Sequence, residues 1–562
     1  MKIIGINYLS ESSVCLLENG ELKFALSQER INRKKNWYGI PYQSIKTLLK
    51  ETNNKISDIN YFTTCGLSSI NRDMPNQDVF SNKITLIKKS KLKKKTKKKQ
   101  ISFLNKRRRH EDFVINVRTK NIIKNLKNKF PKLKVYDHHL SHAASAAYNS
   151  KFQSCICLTI DGWGDHASAK IFKYNKGKFV ELHRTSSIDS LGYLYGSITK
   201  LLGFKPHQHE GKILGLAAYG NYRIPLKEMS KLISFNKKKM EFCGNYENGL
   251  YQANFDNKNL KFLLKKYSKK DIAACVQFIL EKLVISCIKA ISKNKINIAL
   301  AGGIFANVKL NQKIKNLSNI KNIFVYPNMG DGGLSVGSAM LCYNEITKRV
   351  PKPTKSYYLG PSYNDKQILN EIKKFKLKFY RPRNLEKEIA KKIFEGKVIA
   401  HFNGKMEFGP RALGNRSILC SAKNININDD LNKKLGRTEF MPFAPILLKD
   451  YAKTYFNIDK SLDDYKFMTI TCSCKSKMIN NCPAAVHIDN TARPQIIDKK
   501  INLRLFNILT EYKKVSNVPV MINTSFNMHE EPIVCSPNDA IRGFVDGNLD
   551  FLVLGNYLLK NE

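Results

Sequence analysis

Two stretches of the first 350 residues follow one plan, and this repetition constrains the fold more than any other feature of the chain. In each, a group of apolar strands leads into helices, and strand ends carry aspartate or glycine. The first group reads as strands at Lys2–Tyr8, Val14–Leu17 and Glu21–Leu26, with Asn19-Gly20 as a hairpin turn between the last two. A helix near Tyr42–Glu51, a helical stretch near Glu111–Phe130, a strand at Leu133–Tyr136 and a helix through Leu140–Tyr148 follow. The plan restarts with strands at Cys155–Ile160, Ala167–Tyr174 and Lys178–Thr185. Helices are expected at Leu191–Leu202, Lys212–Ala218 and Ile272–Ser292, then strands at Asn297–Ala301 and Ile323–Tyr326, and a last helix ending near Tyr343.

Open α/β sheets bind ligands beyond the carboxyl ends of their strands. Asp161-Gly162, Gly302-Gly303 and Gly330-Asp331-Gly332-Gly333 stand at such positions. A duplicated α/β domain of the actin/sugar-kinase type needs this repeat, although another doubly wound sheet would alternate in a similar way. Prolines and turn residues in Val350–Asp365 mark a linker. The expected division is therefore residues 1–350 and a smaller α/β domain at 351–562. The second has strands at Val398–Phe402, Ser417–Cys420, Phe467–Cys472 and Val518–Ile522.

Composition narrows the setting. At 562 residues, 42% apolar and 25% charged, the chain has the balance of a globular protein with more than one core. The apolar start, Ile3–Leu17, is broken by Asn7, Ser10 and Glu11, so neither a membrane span nor a secretion signal is expected. Thirteen cysteines, an odd number spread along a long chain, fit a reducing, cytoplasmic setting better than a disulfide framework. Cys155 and Cys157 should face one side of a sheet; Cys472, Cys474 and Cys482 could form part of a zinc site. The formal charge of +50 attracts nucleic acid, anionic membranes and phosphorylated substrates alike. Much of it lies in the insertion Lys88–Arg109, expected to be a solvated or disordered loop, with RNA or another polyanion as the alternative.

Several motifs carry chemistry. His138 and His142 lie one helical turn apart, so their imidazoles can converge on a metal ion; a histidine cluster without metal is the plainer reading. Asp161 and Asp331, both beside glycine at strand ends, are further candidate ligands. Gly302-Gly303-Ile304-Phe305-Ala306-Asn307 follows a strand and opens a helix, a setting suited to a nucleotide. The run Gly211–Gly220 offers Lys212 to a phosphate, or serves close helix packing. In the C-terminal part, Phe408–Ser417 sets Arg411 and Arg416 around a turn. Lys405, Arg437, His487 and Arg493 could join them around a small anion, because the guanidinium fork matches phosphate and carbamate oxygens.

Taken in order, these segments resemble the nodulation-type and antibiotic-tailoring O-carbamoyltransferases. The resemblance rests on His138–His142, Asp161-Gly162, Glu210–Gly220, Gly302–Asn307, Gly330–Gly333, Phe408–Ser417, Met441–Pro445, His487–Gln495 and Asn523–Asn527, and it spans nearly the whole chain. It implies a C-terminal domain of YrdC-like fold that turns carbamoyl phosphate and ATP, with magnesium, into a carbamoyl adenylate. Arg411, Arg416, Arg437, His487, Arg493 and Asn523 match that centre, with Lys405 beside them. It implies an N-terminal actin/sugar-kinase-like domain that passes the carbamoyl group to a hydroxyl of a sugar or secondary metabolite beside a metal, usually iron. His138, His142, Asp161 and Asp331 match the metal ligands. Lys212, Gly302, Gly303, Asn307 and Gly332 would meet the nucleotide, and His138, His142, Glu11 and Arg411 would act in catalysis.

The chain departs from this pattern in two places. Ser10-Glu11-Ser12-Ser13 stands where a His-Asp pair is usual, so Glu11 can replace the aspartate but Ser10 supplies no imidazole. Glu530-Glu531 stands where a Gly-Glu pair is usual. The competing readings are a tRNA threonylcarbamoyl-type enzyme, a sugar kinase, and a nucleotide-binding relative without catalysis. Oligomers are compatible with all of them.

Overall fold

The computed structural model describes residues 1–69, 77–248, 250–251, 255, 257–438, 440–458 and 461–561. It divides into two compact units. One comprises 1–22, 38–40 and 54–353; the other comprises 23–37, 41–53 and 354–562. The division is thus not linear: two pieces of the N-terminal region fold with the C-terminal unit.

The repeated plan is realised as two five-stranded sheets of the same topology. Strands β1 (Lys2–Asn7), β2 (Ser13–Glu18), β3 (Glu21–Ser27), β4 (Tyr61–Cys65) and β5 (Leu133–Tyr136) lie in the order β3-β2-β1-β4-β5. β1 pairs antiparallel with β2 and parallel with β4, which runs parallel to β5. The second sheet is built from β6 (Ser154–Gly164), β7 (Ala167–Asn175) and β8 (Lys178–Ser186). After a separate hairpin of β9 (Ile233–Asn236) and β10 (Glu241–Gly244), β11 (Ile296–Ala301) and β12 (Ile320–Val325) complete it. Its order, β12-β11-β6-β7-β8, is the first order read from the other edge, with the same antiparallel meander and parallel extension. This duplication is the actin/sugar-kinase-like architecture. The Cys155 and Cys157 sulfurs face one side of β6, 3.8 Å apart and buried, and all thirteen cysteines are free.

Two helices close the first unit around its site. The buried helix His138–Asn149 packs against Leu334–Thr347, which is buried over most of its length. They approach so closely that a Cβ on Gly337 would lie 1.8 Å from the Ser141 carbonyl oxygen. Gly337→Ala must therefore push apart the helix that carries both histidines. A loss of about 1–3 kcal/mol is expected, read as a lower denaturant midpoint; an unchanged midpoint would show that the two helices separate freely.

The second unit centres on one large sheet. It contains β13 (Phe379–Tyr380), β14 (Ile399–Phe402), β15 (Arg416–Ser421) and β16 (Ala444–Leu448). A short ribbon of β17 (Cys472–Ser473) and β18 (Thr491–Ala492) stands apart, and β19 (Gln495–Ile497), β20 (Val520–Ser525), β21 (Phe551–Leu554) and β22 (Tyr557–Lys560) complete the sheet. The order is β13-β22-β21-β14-β15-β20-β16-β19. Leu385, Ile389 and Ile393 of one helix and Leu505, Ile508, Leu509 and Tyr512 of another cover it with a continuous apolar core.

Two expectations fail. The strand expected at Phe467–Cys472 shrinks to Cys472–Ser473, because Met468 adopts a left-handed φ of 55° that breaks an extended run. The basic insertion is helical, not a disordered loop. Helices Gln77–Lys89 and Lys94–Phe113 form there. Gln100, Leu104, Arg107 and Glu111 recur at helical spacing, and Gln100, Leu104 and Glu111 are buried. No described helix is long and apolar enough to cross a membrane.

Candidate functional site

The histidine helix begins where it does because Asp137 caps it: its Oδ1 accepts the Leu140 N–H at 2.8 Å. The other oxygen of Asp137 takes the buried Lys170 ammonium at 2.9 Å. Asp165 adds a second anchor, accepting the His138 N–H at 2.7 Å and the Leu67 and Ser68 N–H groups. His139, between the two candidate ligands, turns to Thr159 Oγ1 at 2.9 Å and the Ala167 carbonyl at 3.2 Å. Burial holds it well below the usual histidine range, so it is a neutral packing residue.

His138 and His142 face two carboxylates. His142 Nε2 is 3.1 Å from Asp161 Oδ2 and 3.5 Å from Asp331 Oδ1; the corresponding His138 distances are 3.5 and 3.7 Å. One donor atom from each residue falls within 4.8 Å of every other. β6 delivers Asp161 at its carboxyl end and the turn after β12 delivers Asp331, as the repeated plan requires. Among the described residues this is the one group of its kind, so the zinc site considered at Cys472, Cys474 and Cys482 does not form.

The donor set fits a metal ion. Burial would raise the Asp161 carboxyl, but hydrogen bonds from His138 and His142 and their charge bring it well below the usual carboxylate range. Asp331 is pushed up, first by burial and then by the charge of Asp161. Two carboxylates this close disfavour joint ionisation, and a cation between them removes the penalty. Two imidazole nitrogens with two carboxylate oxygens suit a transition metal.

Glu11 lies beside this centre in a left-handed conformation (φ 53°), its Oε2 accepting the Gly332 N–H at 3.1 Å. Asn7 Nδ2 donates to the Ser10 carbonyl and to the Asp331 carbonyl, both at 2.9 Å. The altered Ser10-Glu11 stretch thus props the turn that presents Asp331. Gly302, at φ 102°, lies so close to β6 that a Cβ would be 2.3 Å from the Ile160 oxygen; one on Gly303 would be 3.2 Å from Asp161 Oδ1. These glycines bring the β11 end against the Asp161 strand end. Asn307 caps the helix Val308–Lys315 and donates from Nδ2 to Gln277 at 2.7 Å, so its side chain is engaged within the protein. Gly332 sits against the Asn328 side chain. Lys212 is buried on the helix Glu210–Ala217, its Nζ 6.0 Å from the Phe204 ring centre. A Cβ on Gly211 would meet nothing within 4 Å, which removes the packing reason for that glycine.

In the second unit, four segments converge. Asn523, on β20, donates to the Ala412 carbonyl at 3.2 Å and to Gln495 Oε1 at 2.6 Å; Gln495 donates to the Leu413 carbonyl at 2.9 Å. The half-buried Arg411 and Arg493 flank these contacts in sequence, and buried His487 is tied by its N–H to the Thr491 carbonyl. Arg437 reaches Thr524 Oγ1, the Ser525 carbonyl and both oxygens of Asn527, just beyond Asn523. Lys405 is exposed, and its carbonyl accepts Asn415 Nδ2 on the same loop.

Arg416 differs from the other arginines of this group. It is fully buried, its guanidinium donates to the carbonyls of Asn403, Asn415, Pro361 and Gly404, and it stacks 3.6 Å over the Phe402 ring. With four donations to backbone oxygens, it braces the loop. Sequence reasoning missed the residue that organises this loop. Glu407 Oε1 accepts the N–H groups of Leu413, Asn415 and Arg416 at 2.8, 2.8 and 3.1 Å. No local spacing rule signals such a contact. Asp137 could have been found, since an aspartate directly before a helix is a capping signal.

The family models described as Carbamoyltransferase N-terminus and Carbamoyltransferase C-terminus match residues 2–340 and 390–561. An uncharacterized protein of Methanocaldococcus jannaschii is 33% identical, with 99% of each chain covered. Nodulation protein NolNO of Sinorhizobium fredii is 29% identical over 99% of this chain and 79% of that protein. Among solved structures, component A of the (R)-2-hydroxyglutaryl-CoA dehydratase of Acidaminococcus fermentans aligns at 13% identity and a TM-score of 0.36, over 62% of this chain and 99% of its own.

Proposed function

This chain belongs to the carbamoyltransferase family, and on that premise we propose that it activates carbamoyl phosphate with ATP and moves the carbamoyl group to a hydroxyl of a sugar or secondary metabolite. Activation belongs to the second unit, read as YrdC-like, and transfer to the first. The observation that carries the reading is the convergence of His138, His142, Asp161 and Asp331 at the strand ends of a duplicated fold.

Carbamoyl phosphate is a poor donor to a neutral alcohol, and an adenylate supplies a better leaving group. The balance requires water to release phosphate from carbamoyl phosphate, and the resulting carbamate oxygen to attack the α-phosphorus of ATP, expelling pyrophosphate. The acceptor hydroxyl then attacks the carbamoyl carbon, AMP leaves, and the hydroxyl proton passes to a base. Arg411, Arg437 and Arg493, with His487, hold the anionic oxygens in the second unit and offset charge as phosphate leaves, while Asn523 ties the Ala412 carbonyl to Gln495 beside them. In the first unit, Gly302 and Gly303 allow the adenylate's phosphate to approach the β11 end, with Lys212 as its cation. Glu11, whose charge acts on Asp331, stands in for the usual aspartate as proton acceptor. A metal ion held by His138, His142, Asp161 and Asp331, iron by resemblance, would supply Lewis-acid polarisation of oxygen.

The test separates nucleotide products with and without carbamoyl phosphate. AMP and pyrophosphate that appear only with carbamoyl phosphate, and fall at least about a hundredfold in Arg411→Ala, are the expected result. ADP formed regardless of carbamoyl phosphate, or no cleavage, would replace this reading with a kinase or a non-catalytic nucleotide binder.

A further inference from the structure

The basic insertion makes contacts with the transfer unit that a solvated loop would not make. Arg107, on the helix Lys94–Phe113, lies between two aromatic rings, its guanidinium carbon 5.4 Å from the Trp163 ring centre and 4.8 Å from that of Tyr193. Its Nε donates to Glu111 Oε1 at 3.0 Å and its amino group to the Tyr193 hydroxyl at 3.2 Å. Glu111, one turn further along, is buried and accepts the Ser187 hydroxyl on both oxygens at 2.8 and 2.9 Å. His166 Nδ1 lies 3.7 Å from its other side. Burial would raise the Glu111 carboxyl, but His166, Arg107 and Ser187 together lower it, so it remains an anion.

The partner helix of the insertion grips the same segment. Lys83, on Gln77–Lys89, pairs with the buried Asp189 at 3.1 Å, and Asp189 also accepts the Ser186 hydroxyl and the Gly244 N–H. Both contacts bear on residues 186–190, and that segment is joined directly to the metal centre. Ser190 Oγ donates to the carbonyls of Asp161 and Gly162 at 3.2 and 2.7 Å, and a Cβ on the adjoining Gly192 would meet the Asp161 oxygen at 2.7 Å. Trp163 is two residues beyond Asp161 on β6. The insertion helix then continues through a π-helical turn at Val114–Thr119, where Thr119 lies against Gly66 at the end of β4. A π-helical turn is an energetically disfavoured irregularity that is often kept at functional sites.

We propose that Arg107 is a positioning residue of the transfer centre: through Trp163, Tyr193 and the Glu111–Ser187 contact it holds the strand end that presents Asp161. The proposal rests on the reading of His138, His142, Asp161 and Asp331 as metal ligands. Its physical basis is that the residues supporting a ligand-bearing segment set the aim of the ligand, and loosening that support weakens metal binding even when every ligand is intact. Arginine suits the place because its planar fork stacks and donates at once, which a lysine cannot reproduce. The lysine-rich outer face of the same helix, exposed at Lys94, Lys95, Lys98 and Lys99, plays no part in this role.

The test uses the full chain with Trp37→Phe, which leaves Trp163 as the one tryptophan of the two. Cobalt(II) is titrated as the metal probe and Trp163 emission is recorded. Arg107→Ala should weaken cobalt binding at least about tenfold and shift Trp163 emission to longer wavelength. Carbamoyl-phosphate-dependent AMP formation, assigned to the second unit, should be unchanged. Arg107→Lys should restore part of the affinity without restoring the emission. Cobalt affinity in Arg107→Ala equal to that of the parent overturns the proposal, whatever happens to turnover. If Arg107→Ala does not fold, Arg107→Lys carries the test, and parental affinity there overturns it equally. A parent that binds no cobalt sinks the metal-centre reading and this proposal with it, whereas loss of the activation reaction alone bears on the second unit.

Discussion

Asp161→Asn is expected to lower carbamoyl transfer by about a thousandfold, a barrier change near 4 kcal/mol, while AMP and pyrophosphate formation continues. The substitution preserves shape, including an oxygen for the Gly162 N–H that Asp161 Oδ1 accepts at 2.7 Å. It removes the charge that faces both imidazoles at 3.1 and 3.5 Å. The ligand set would then offer two imidazoles, one carboxylate and a weak amide oxygen, and bound metal should fall with transfer. Isotope-labelled carbamoyl phosphate, offered with a panel of nucleotide sugars, measures incorporation, and metal analysis of the purified protein measures retention. Undiminished incorporation with full metal content would place transfer away from these four residues. Loss of both half-reactions together would show that the two units do not divide the chemistry.

Glu407→Ala should have the largest effect on the second unit. One carboxylate oxygen holds three backbone N–H groups of the loop that carries Arg411, and its removal leaves buried donors unpaired at roughly 1–3 kcal/mol each. The loop also positions the Ala412 and Leu413 carbonyls for Asn523 and Gln495, so displacement would scatter the proposed carbamoyl phosphate site. A fall of several kcal/mol in stability, from a denaturant titration, and loss of carbamoyl-phosphate-dependent pyrophosphate release are expected together. Glu407→Gln keeps an oxygen of the same reach and should retain much of both. If Glu407→Ala melts at the parental denaturant concentration and still releases pyrophosphate, the loop is held by other contacts.

The two predictions probe different kinds of legibility. The histidine pair was readable because helical geometry places residues four apart on one face, and strand-end aspartates were readable because sheets of this kind expose their ligands there. Arg416 shows the opposite case. In sequence it looks like Arg411 five positions before it, but its fork ends on four backbone carbonyls. Only neighbours distant in sequence reveal that difference. Lys88–Arg109 misled because charge density hid a helical face of Gln100, Leu104, Arg107 and Glu111, whose partners, Trp163, Tyr193 and Ser187, lie over fifty residues away.

The sequence by itself determined the repeated succession of strands and helices and the chemical types gathered at each strand end. Local rules suffice for these, since periodicity, turn residues and capping act within a few positions. The tertiary structure decided which groups meet. It brought Asp331 to His142 across almost two hundred residues, used Glu11 to support the Gly330–Gly333 turn, and turned Arg416 inward. It also folded residues 23–37 and 41–53 with the second unit. Those outcomes depend on burial and on satisfying every polar group in a crowded interior, which is a property of the packed molecule and not of any short segment.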